Sequence, residues 1–304
     1  MSMATAEAVQ LRKIYSTNPA TGEVLREFVC ASEDEVREAV ARARGAQRDW
    51  ALLTVGGRLK VLREFQKRLH ASKDEVAALI SSEAGKPEVE ALLTEVVVIL
   101  DAAGFALRET PRLLRPERVA HSNPVMKGKR AWLERVPYGV VGIISPWNYP
   151  FSIPASEILP ALACGNAVVL KPSELTPLCA LKLQELFLAA GLPAGVLEVV
   201  VGDGITGAIL ISSDIDKLVF TGSVATGRRI AQAAAAREKL LPVVLELGGK
   251  DAMIVLEDAD LEVATSAAVW GAFMNAGQTC LSVERCFVHR SRYERFVEAC
   301  VVKA

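Results

Sequence analysis

The sequence predicts an α/β protein built around a doubly wound, mostly parallel, Rossmann-like sheet. Short apolar runs rich in β-branched residues alternate with helical segments through the second half of the chain. This alternation is typical of parallel strands joined by crossover helices. The runs fall at residues 140–144, 167–170, 196–201, 217–220 and 243–245. With 304 residues, 51% of them hydrophobic, the chain can form one large domain or two of ordinary size.

Residues 32–107 are predicted to form a layer of amphipathic helices. Glu33, Asp34 and Glu35 open this segment, and acidic residues are favourable in the first turn of a helix. Apolar residues then recur at helical spacing. They include Val36, Val40, Trp50, Leu59, Leu62, Phe65 and Leu69. The sequence Gly85-Lys86-Pro87 interrupts the pattern, and a further helix is predicted through residues 100–105.

Residues 118–136 are predicted to leave the helical layer as short strands. The helical spacing stops there, and residues 131–136 read as extended structure. Residues 112–118 are mildly basic, but Glu117 interrupts them. This charge pattern favours a solvated face over a surface for nucleic acid.

Composition argues against several classes of function. The net charge is -1, and the sequence has no dense block of lysine and arginine with interleaved aromatic residues. Nucleic-acid binding is therefore not expected. Residues 136–156 have the length of a membrane span, but a lipid-exposed helix would tolerate their four prolines poorly. No membrane association is expected. The amino-terminal sequence lacks the pattern of a secretory signal, which predicts a cytoplasmic location.

The cysteines and histidines indicate reduced thiols and no metal centre. The six cysteines are scattered without a CxxC pair, which favours free thiols over a disulfide framework. The three histidines do not occur at the spacing of a metal site. So few histidines also argue against a Cys-His catalytic pair, unless distant residues converge.

Cys280 is the first candidate for chemistry, because it follows the turn-forming run Gly277-Gln278-Thr279. A free cysteine is only slightly ionised near neutral pH, so a nucleophilic thiol needs donors or charge nearby. The run before Cys280 can form a turn that exposes the sulfur. An isolated cysteine is more often buried filler, but candidate partners elsewhere in the chain favour the nucleophile.

Those candidate partners are Glu246 and Asn148. Glu246 follows a strand-like run and precedes Gly248 and Gly249, which allow close approach of the backbone. Asn148 follows the rigid pair Pro146-Trp147, where its amide can donate to a developing negative charge. Taken singly, the glutamate could be a helix cap or a surface ion-pair partner, and the asparagine a turn residue.

A literal G-x-G-x-x-G follows the strand predicted at residues 196–201. Its glycines are Gly202, Gly204 and Gly207, and the match suggests a dinucleotide-binding turn. Alone this motif is weak, because small loops produce it by chance. A second possible nucleotide contact is Lys171 with Glu174, directly after the strand predicted at residues 167–170; the alternative is a surface ion pair.

Together, the motifs around Asn148, Glu246 and Cys280 resemble those of the NAD(P)-dependent aldehyde dehydrogenase family. The resemblance extends from residues 18–22, which read Asn-Pro-Ala-Thr-Gly, to the end of the chain. It implies that Cys280 attacks an aldehyde and that Asn148 holds the oxyanion with the backbone N–H of the cysteine. Glu246 then activates water to hydrolyse the thioester. A deacylating glutamate favours release of a carboxylic acid over acyl transfer to coenzyme A.

The resemblance also implies a nicotinamide cofactor. Its diphosphate is expected at the turn of residues 220–223, with Gly227 beyond, and its adenosine ribose at Lys171 and Glu174. Because a carboxylate there accepts hydrogen bonds from a free 2′-hydroxyl and repels a 2′-phosphate, NAD is favoured, with NADP as the alternative. The full set of expected cofactor-binding residues is Ile144, Ser145, Pro146, Trp147, Lys171, Ser173, Glu174, Gly204, Gly207, Phe220, Gly222, Ser223 and Leu247.

The family pattern further implies a domain organisation. Residues 1–119 and 139–248 are expected to form the NAD-binding domain, and residues 120–138 the oligomerisation strands of a homodimer or homotetramer. Residues 249–304 are expected to begin the catalytic domain, so the chain resembles an amino-terminal portion that is inactive by itself. A non-catalytic nucleotide-binding or interaction protein is the alternative.

An apolar substrate entrance is expected from five residues. They are Tyr149, Ile153, Phe273, Thr279 and Leu281. These residues do not identify the aldehyde, because they supply only one wall of an entrance.

Overall fold

The computed structural model describes residues 11–126 and 128–304. Two compact units are distinguished: the first extends to Phe220 and adds Arg229–Val244, and the second comprises Thr221–Arg228 and Leu245–Ala304. Residues 1–10 of the predicted cofactor domain and residue 127 of the predicted oligomerisation strands lie outside the described residues.

Eleven strands and eleven α-helices are assigned within the described residues. The strands are β1 Lys13–Thr17, β2 Val24–Val29, β3 Glu117–Val119, β4 Ala131–Leu133, β5 Val140–Ile144, β6 Ala167–Lys171, β7 Leu197–Val199, β8 Lys217–Gly222, β9 Val243–Leu247, β10 Asp251–Val255 and β11 Val283–Val288. The helices are α1 Glu33–Leu52, α2 Val55–Ala71, α3 Lys73–Ala84, α4 Glu88–Ala91, α5 Val97–Leu113, α6 Ser152–Ala163, α7 Pro177–Ala189, α8 Gly204–Ser212, α9 Val224–Ala235, α10 Leu261–Phe273 and α11 Tyr293–Lys303.

The main sheet has five strands in the order β7-β6-β5-β8-β9. β5 pairs in parallel with β6 and β8, and β6 pairs in parallel with β7. This confirms the predicted α/β fold, and each of the five predicted apolar runs overlaps one of these strands. In register, Ile144 lies opposite Lys171 on one side and Phe220 on the other. The carboxyl ends of three neighbouring strands are therefore aligned.

The helical layer supplies much of the core, as the spacing of apolar residues predicts. α1 begins with a capping box in which Ser32 and Glu35 satisfy each other's backbone N–H groups. Trp50 is buried, and its Nε1 donates to the carbonyl of Leu162 at 2.9 Å. All seven apolar residues of the predicted helical spacing are buried: Val36, Val40, Trp50, Leu59, Leu62, Phe65 and Leu69.

A segment of π-helix precedes the helix predicted through residues 100–105. α4 leads into the π-helical residues Leu92–Val96, and α5 follows directly. Such insertions change the phase of a helix and occur frequently at functional sites. Here Glu95 lies in the π-helical turn and is fully buried. A regular 3.6-residue pattern does not predict this orientation.

The amino-terminal hairpin β1–β2 was not predicted from the sequence. Its strands pair antiparallel with an irregularity between Ser16 and Thr17. The connecting turn is closed by a 2.8 Å hydrogen bond from the Gly22 N–H to the Asn18 carbonyl, and Gly22 has a φ of 75°. An asparagine followed by glycine at this spacing is a turn signal that could have located the hairpin.

Glu83 joins this hairpin to two helices. Its buried carboxylate lies in the last turn of α3 and accepts a 2.7 Å hydrogen bond from Ser16 Oγ. It also accepts 2.8 Å bonds from the N–H groups of Leu178 and Cys179 in the first turn of α7. Burial raises the pKa of Glu83, and these three hydrogen bonds oppose the rise. Glu83 therefore caps α7 while fixing β1 to α3.

A second hairpin lies where the sequence predicts strands leaving the helical layer. β3 and β4 pair antiparallel, with Glu117 opposite Leu133. β3 begins one residue before the predicted region, and β4 falls inside it. Trp132 and Leu133 are each 53% exposed.

Within the described ranges, no helix is both long and apolar enough to cross a membrane. Residues 136–156, the uncharged window, contain β5, the following loop and the beginning of α6. Among all the described residues, no group of three or more histidine, cysteine or acidic side chains could hold a metal ion.

Phe65 provides a test of the core. Its ring stacks on that of Phe187 with centroids 3.9 Å apart, and both side chains are fully buried. Phe65→Ala should lower stability by about 3–5 kcal/mol, because it removes these contacts and leaves a cavity. For a unit of this size we expect the melting temperature to fall by roughly 6–20 °C. Phe105, which is 54% exposed on α5, supplies the control; an equal fall in Phe105→Ala would contradict the assignment of Phe65 to the core.

Candidate active site

The loop that follows β5 carries the predicted oxyanion donor, Asn148. Its carbonyl accepts a 2.9 Å hydrogen bond from Lys86 Nζ. Lys86 also forms a 2.6 Å ion pair with Glu95 Oε1, and the two side chains are 1% and 0% exposed. The same ammonium group lies 4.0 Å from the centroid of the Tyr149 ring. A buried charge pair therefore contacts the backbone of Asn148 and the side chain that follows it.

The other oxygen of Glu95 caps helix α6. Glu95 Oε2 accepts hydrogen bonds from the N–H groups of Phe151 at 2.8 Å and Ser152 at 3.1 Å. These N–H groups belong to the helix start, where they lack partners within the helix. Burial raises the pKa of Glu95, while the charge of Lys86 opposes that rise. The Lys86–Glu95 ion pair therefore holds both ends of residues 148–152.

Five predicted cofactor residues lie at the ends of two neighbouring strands. Ile144 ends β5, Ser145, Pro146 and Trp147 follow it, and Lys171 ends β6. The Ser145 N–H donates to the Lys171 carbonyl at 3.1 Å. The Ser145 hydroxyl is buried and makes no hydrogen bond within the described residues. The aligned strand ends therefore place a polar group with unused hydrogen-bonding capacity where α/β proteins bind ligands.

Lys171 and Glu174, the predicted ribose contacts, form an ion pair with each other, which was the alternative interpretation of these residues. Lys171 Nζ lies 3.3 Å from Glu174 Oε2; the lysine side chain is 5% exposed and that of the glutamate 48%. Burial lowers the pKa of Lys171, and the charge of Glu174 opposes that effect. The Glu174 carboxylate is accessible to a ligand. Gly207 lies beside this pair, since a Cβ there would be 4.0 Å from Lys171 Cδ.

The G-x-G-x-x-G segment forms the turn into α8. A side chain at Gly202 would overlap Thr206, whereas a Cβ at Gly204 would meet no atom within 4 Å. Asp203 caps the helix by accepting from the N–H groups of Ile205 at 2.9 Å and Thr206 at 3.2 Å. Its carboxylate also pairs with Arg12.

The second unit contains the turn predicted to bind the diphosphate. Gly222 ends β8, and Ser223 Oγ accepts a 3.2 Å hydrogen bond from the Thr226 N–H in the first turn of α9. A Cβ at Gly227 would lie only 2.6 Å from Leu247 Cδ2. This glycine therefore lets α9 approach the end of β9, the strand that carries Glu246.

The Cys280 loop belongs to the same unit. Cys280 is exposed, and Asn275, Ala276 and Gly277 have left-handed φ angles of 52°, 56° and 75°. The Asn275 side chain is buried, and its Nδ2 donates to the Gln278 carbonyl at 3.3 Å. Two non-glycine residues in succession at positive φ are uncommon and strained. The expected turn before an exposed sulfur is present, and it is held in a strained conformation.

The Glu246 segment lies close to the Cys280 loop. Glu246 is exposed near the end of β9, and a Cβ at Gly249 would lie 3.5 Å from the Cys280 carbonyl oxygen. β10 and β11, which follow the two motifs, pair in parallel. The chain therefore brings the segment after the candidate base next to the candidate nucleophile.

Each unit holds part of the predicted site. The first contains Asn148, Ile144, Ser145, Pro146, Trp147, Lys171, Ser173, Glu174, Gly204, Gly207 and Phe220. The second contains Gly222, Ser223, Glu246, Leu247 and Cys280. Sequence reasoning missed Lys86 and Glu95. The available signal was a lysine at a Gly-Lys-Pro break with an acidic residue nine positions later, but charged residues in amphipathic helices are normally solvated.

Comparison with known proteins identifies related chains. A sequence model described as Aldehyde dehydrogenase family matches residues 6–304. A 4,4'-diapolycopene aldehyde oxidase from Methylomonas sp is 41% identical over 284 residues, which cover 93% of this chain and 53% of that protein.

Two solved structures have closely similar folds. An NAD+ complex of aldehyde dehydrogenase from Bacillus cereus has a TM-score of 0.91 at 37% identity, covering 96% of this chain and 59% of that one. A 3,6-anhydro-L-galactose dehydrogenase in complex with NAP has a TM-score of 0.89 at 35% identity, covering 96% and 60%. The chain spans little more than half the length of these relatives.

The strain in the Cys280 loop can be measured at Ala276. A left-handed conformation costs a non-glycine residue about 1–2 kcal/mol, whereas glycine adopts it freely. Ala276→Gly should therefore raise the free energy of unfolding by about 0.5–1 kcal/mol, after allowing for the greater flexibility of glycine in the unfolded chain.

The control applies the same change in a regular helix. Ala267 is exposed in α10, and Ala267→Gly should lower the free energy of unfolding by about 0.5–1 kcal/mol. Thermal unfolding of the two variants should shift in opposite directions. A loss of stability in both would show that Ala276 is not strained.

Proposed function

The chain belongs to the aldehyde dehydrogenase family, and from this we propose that the protein oxidises an aldehyde to a carboxylic acid with a nicotinamide cofactor. The observation that carries the proposal is the exposed Cys280, which follows a strained turn and lies beside Gly249, three residues after Glu246. Family membership supports the reaction class. The identity of the aldehyde stays open.

In the proposed first step, Cys280 Sγ attacks the carbonyl carbon of the aldehyde as a thiolate. The new C–S bond gives a thiohemiacetal whose oxygen bears negative charge. The Asn148 amide and the backbone N–H of Cys280 donate to this oxygen. Such donors stabilise the transition state because they need little reorganisation when the charge develops.

The second step makes and then hydrolyses a thioester. A bound nicotinamide cofactor, which Lys171 and Glu174 would help to hold, would supply the acceptor for the hydride that leaves the former aldehyde carbon. Glu246 removes a proton from water as the water oxygen bonds to the acyl carbon. The C–S bond breaks, the sulfur leaves as a thiolate, and the product is a carboxylic acid. Overall, the aldehyde is oxidised by two electrons and the cofactor is reduced.

The residues of the first unit fit an adenosine-bearing cofactor. Lys171 and Glu174 present a donor and an accessible acceptor for ribose hydroxyls, and Gly207 leaves space beside them. The carboxylate of Glu174 favours a free 2′-hydroxyl, so NAD is proposed over NADP. The related NAD+ and NAP complexes support use of a nicotinamide cofactor.

The proposed domain roles follow the family pattern. Residues 1–119 and 139–248 would bind NAD, and residues from 249 onward would begin the catalytic domain. Residues 120–138 would join a second copy in a homodimer or homotetramer. The exposure of Trp132 and Leu133 on the β3–β4 hairpin supports that role, because large apolar side chains at a surface often mark interfaces.

Cys280→Ala tests the nucleophile. In the full-length protein this change should abolish aldehyde-dependent NADH formation, because no covalent intermediate can form, and leave NAD affinity within about twofold. NADH absorbance and NAD titration provide the two measurements. The control is Cys286→Ala, another exposed cysteine, which should retain most activity. Substantial turnover by Cys280→Ala would exclude the assignment.

Glu246→Gln separates acylation from hydrolysis. If Glu246 activates the deacylating water, the full-length variant should still give a rapid burst of about one NADH per active site. Steady turnover should then fall by about 100-fold or more, since a general base contributes about 10²–10⁴-fold. Glu257→Gln, at an exposed position, should leave both phases unchanged. Loss of the burst itself would assign Glu246 to an earlier step.

A further inference from the structure

The buried pair of Lys86 and Glu95 is not used by the proposed chemistry. Removing two charges from water is costly, and a buried ion pair often contributes no more stability than apolar residues of the same volume. Both side chains are nevertheless essentially inaccessible to solvent. Stability alone is therefore a weak reason for a charged pair at this place.

The contacts of the pair converge on one short stretch of chain. Lys86 donates to the carbonyl of Asn148 at 2.9 Å and lies 4.0 Å from the centre of the Tyr149 ring. Glu95 accepts from the N–H groups of Phe151 and Ser152. All four contacts fall within residues 148–152, which begin with the candidate oxyanion donor.

The local backbone explains why such anchoring matters. Residues 145–151 form neither helix nor strand, so regular hydrogen bonding does not fix the position of Asn148. An oxyanion donor must lie about 2.7–3.1 Å from the place that the charged oxygen will occupy. A misplacement of about 1 Å can reduce the rate of catalysis by about 100-fold.

We propose that the Lys86–Glu95 pair positions the Asn148 amide for oxyanion binding by fixing the backbone of residues 148–152. Lys86 holds the carbonyl of Asn148, and Glu95 holds the helix start four residues later. Neither side chain touches the substrate, so both are positioning residues. The inference rests on the proposed aldehyde oxidation, and it adds a specific role for the π-helical turn that carries Glu95.

The test uses the full-length protein and the double variant Lys86→Met/Glu95→Gln. Changing both residues avoids leaving one buried charge unpaired, which would destabilise the fold. Under single-turnover conditions with saturating NAD, we expect the rate of NADH formation to fall by about 10- to 100-fold. NAD affinity should stay within about twofold, because the Lys171–Glu174 region is unchanged.

Repeating the double change in an Asn148→Ala protein separates a positioning role from a general structural effect. Asn148→Ala should itself slow NADH formation by about 100- to 1000-fold. If the pair acts through Asn148, adding the double change to Asn148→Ala should slow the reaction by less than about threefold further, because residues that act together are not additive. A full additional loss would overturn the proposal.

Glu83→Gln is the matched control. Glu83 is likewise a buried glutamate that caps a helix start, but it contacts α7 and Ser16 instead of residues 148–152. At saturating NAD we expect a single-turnover rate within about twofold of wild type. Equal losses in Glu83→Gln and the double variant would show a general effect of buried caps and overturn the proposal.

Hydrogen exchange gives a readout that does not require activity. In the double variant, the N–H groups of Phe151 and Ser152 should exchange faster, because charge-assisted hydrogen bonds to Glu95 are lost. Unchanged exchange, or faster exchange with a wild-type rate of NADH formation, would overturn the positioning role. If the wild-type protein forms no NADH with any aldehyde, the proposed function fails, and exchange still reports whether the pair anchors the loop.

Discussion

The parallel register of β5 with its two neighbours is the constraint on which the arrangement of the first unit depends. Main-chain hydrogen bonds fix Ile144 opposite both Lys171 and Phe220. Every loop that leaves the carboxyl ends of these strands therefore begins from the same edge of the sheet. A shift of one residue would reverse the direction of every side chain along a strand, so the register determines which groups a ligand can meet.

In the second unit, the positions of the candidate residues depend on close packing around two glycines as well as on strand pairing. A Cβ at Gly227 would lie 2.6 Å from Leu247 Cδ2, and a Cβ at Gly249 would lie 2.7 Å from Asp251 Oδ1. A larger residue at Gly227 would force the Leu247 side chain to move. The strained turn of residues 275–277 then exposes Cys280, whose sulfur would otherwise be expected in the apolar interior. Small residues and local strain together define the shape of this segment.

The sequence was sufficient to predict the main sheet, because its strands read as short apolar runs, and the two central strands β5 and β6 are buried along almost their whole length. It also predicted the exposed turn at Cys280 and the change to extended structure before β4. It did not predict β1 and β2, whose half-exposed residues lack a strong apolar pattern. The burial of Lys86 and Glu95 was also missed, because a π-helical insertion shifts the helical phase and both side chains contact residues 148–152, which are distant in sequence.

The amino-terminal hairpin packs against the segment that leads to Lys86. Glu83 binds Ser16 of β1, and a Cβ at Gly85 would lie 2.6 Å from Pro19 Cγ in the hairpin turn. Gly85 is also the left-handed residue that ends α3, so a side chain there would be unfavourable for two separate reasons. Hybrid proteins made by exchanging amino-terminal segments between relatives would break this contact if they were joined between Pro19 and Gly85. Such a junction would pair a hairpin and a helix end that had not evolved together, so recombination should be better tolerated where the two are inherited as one block.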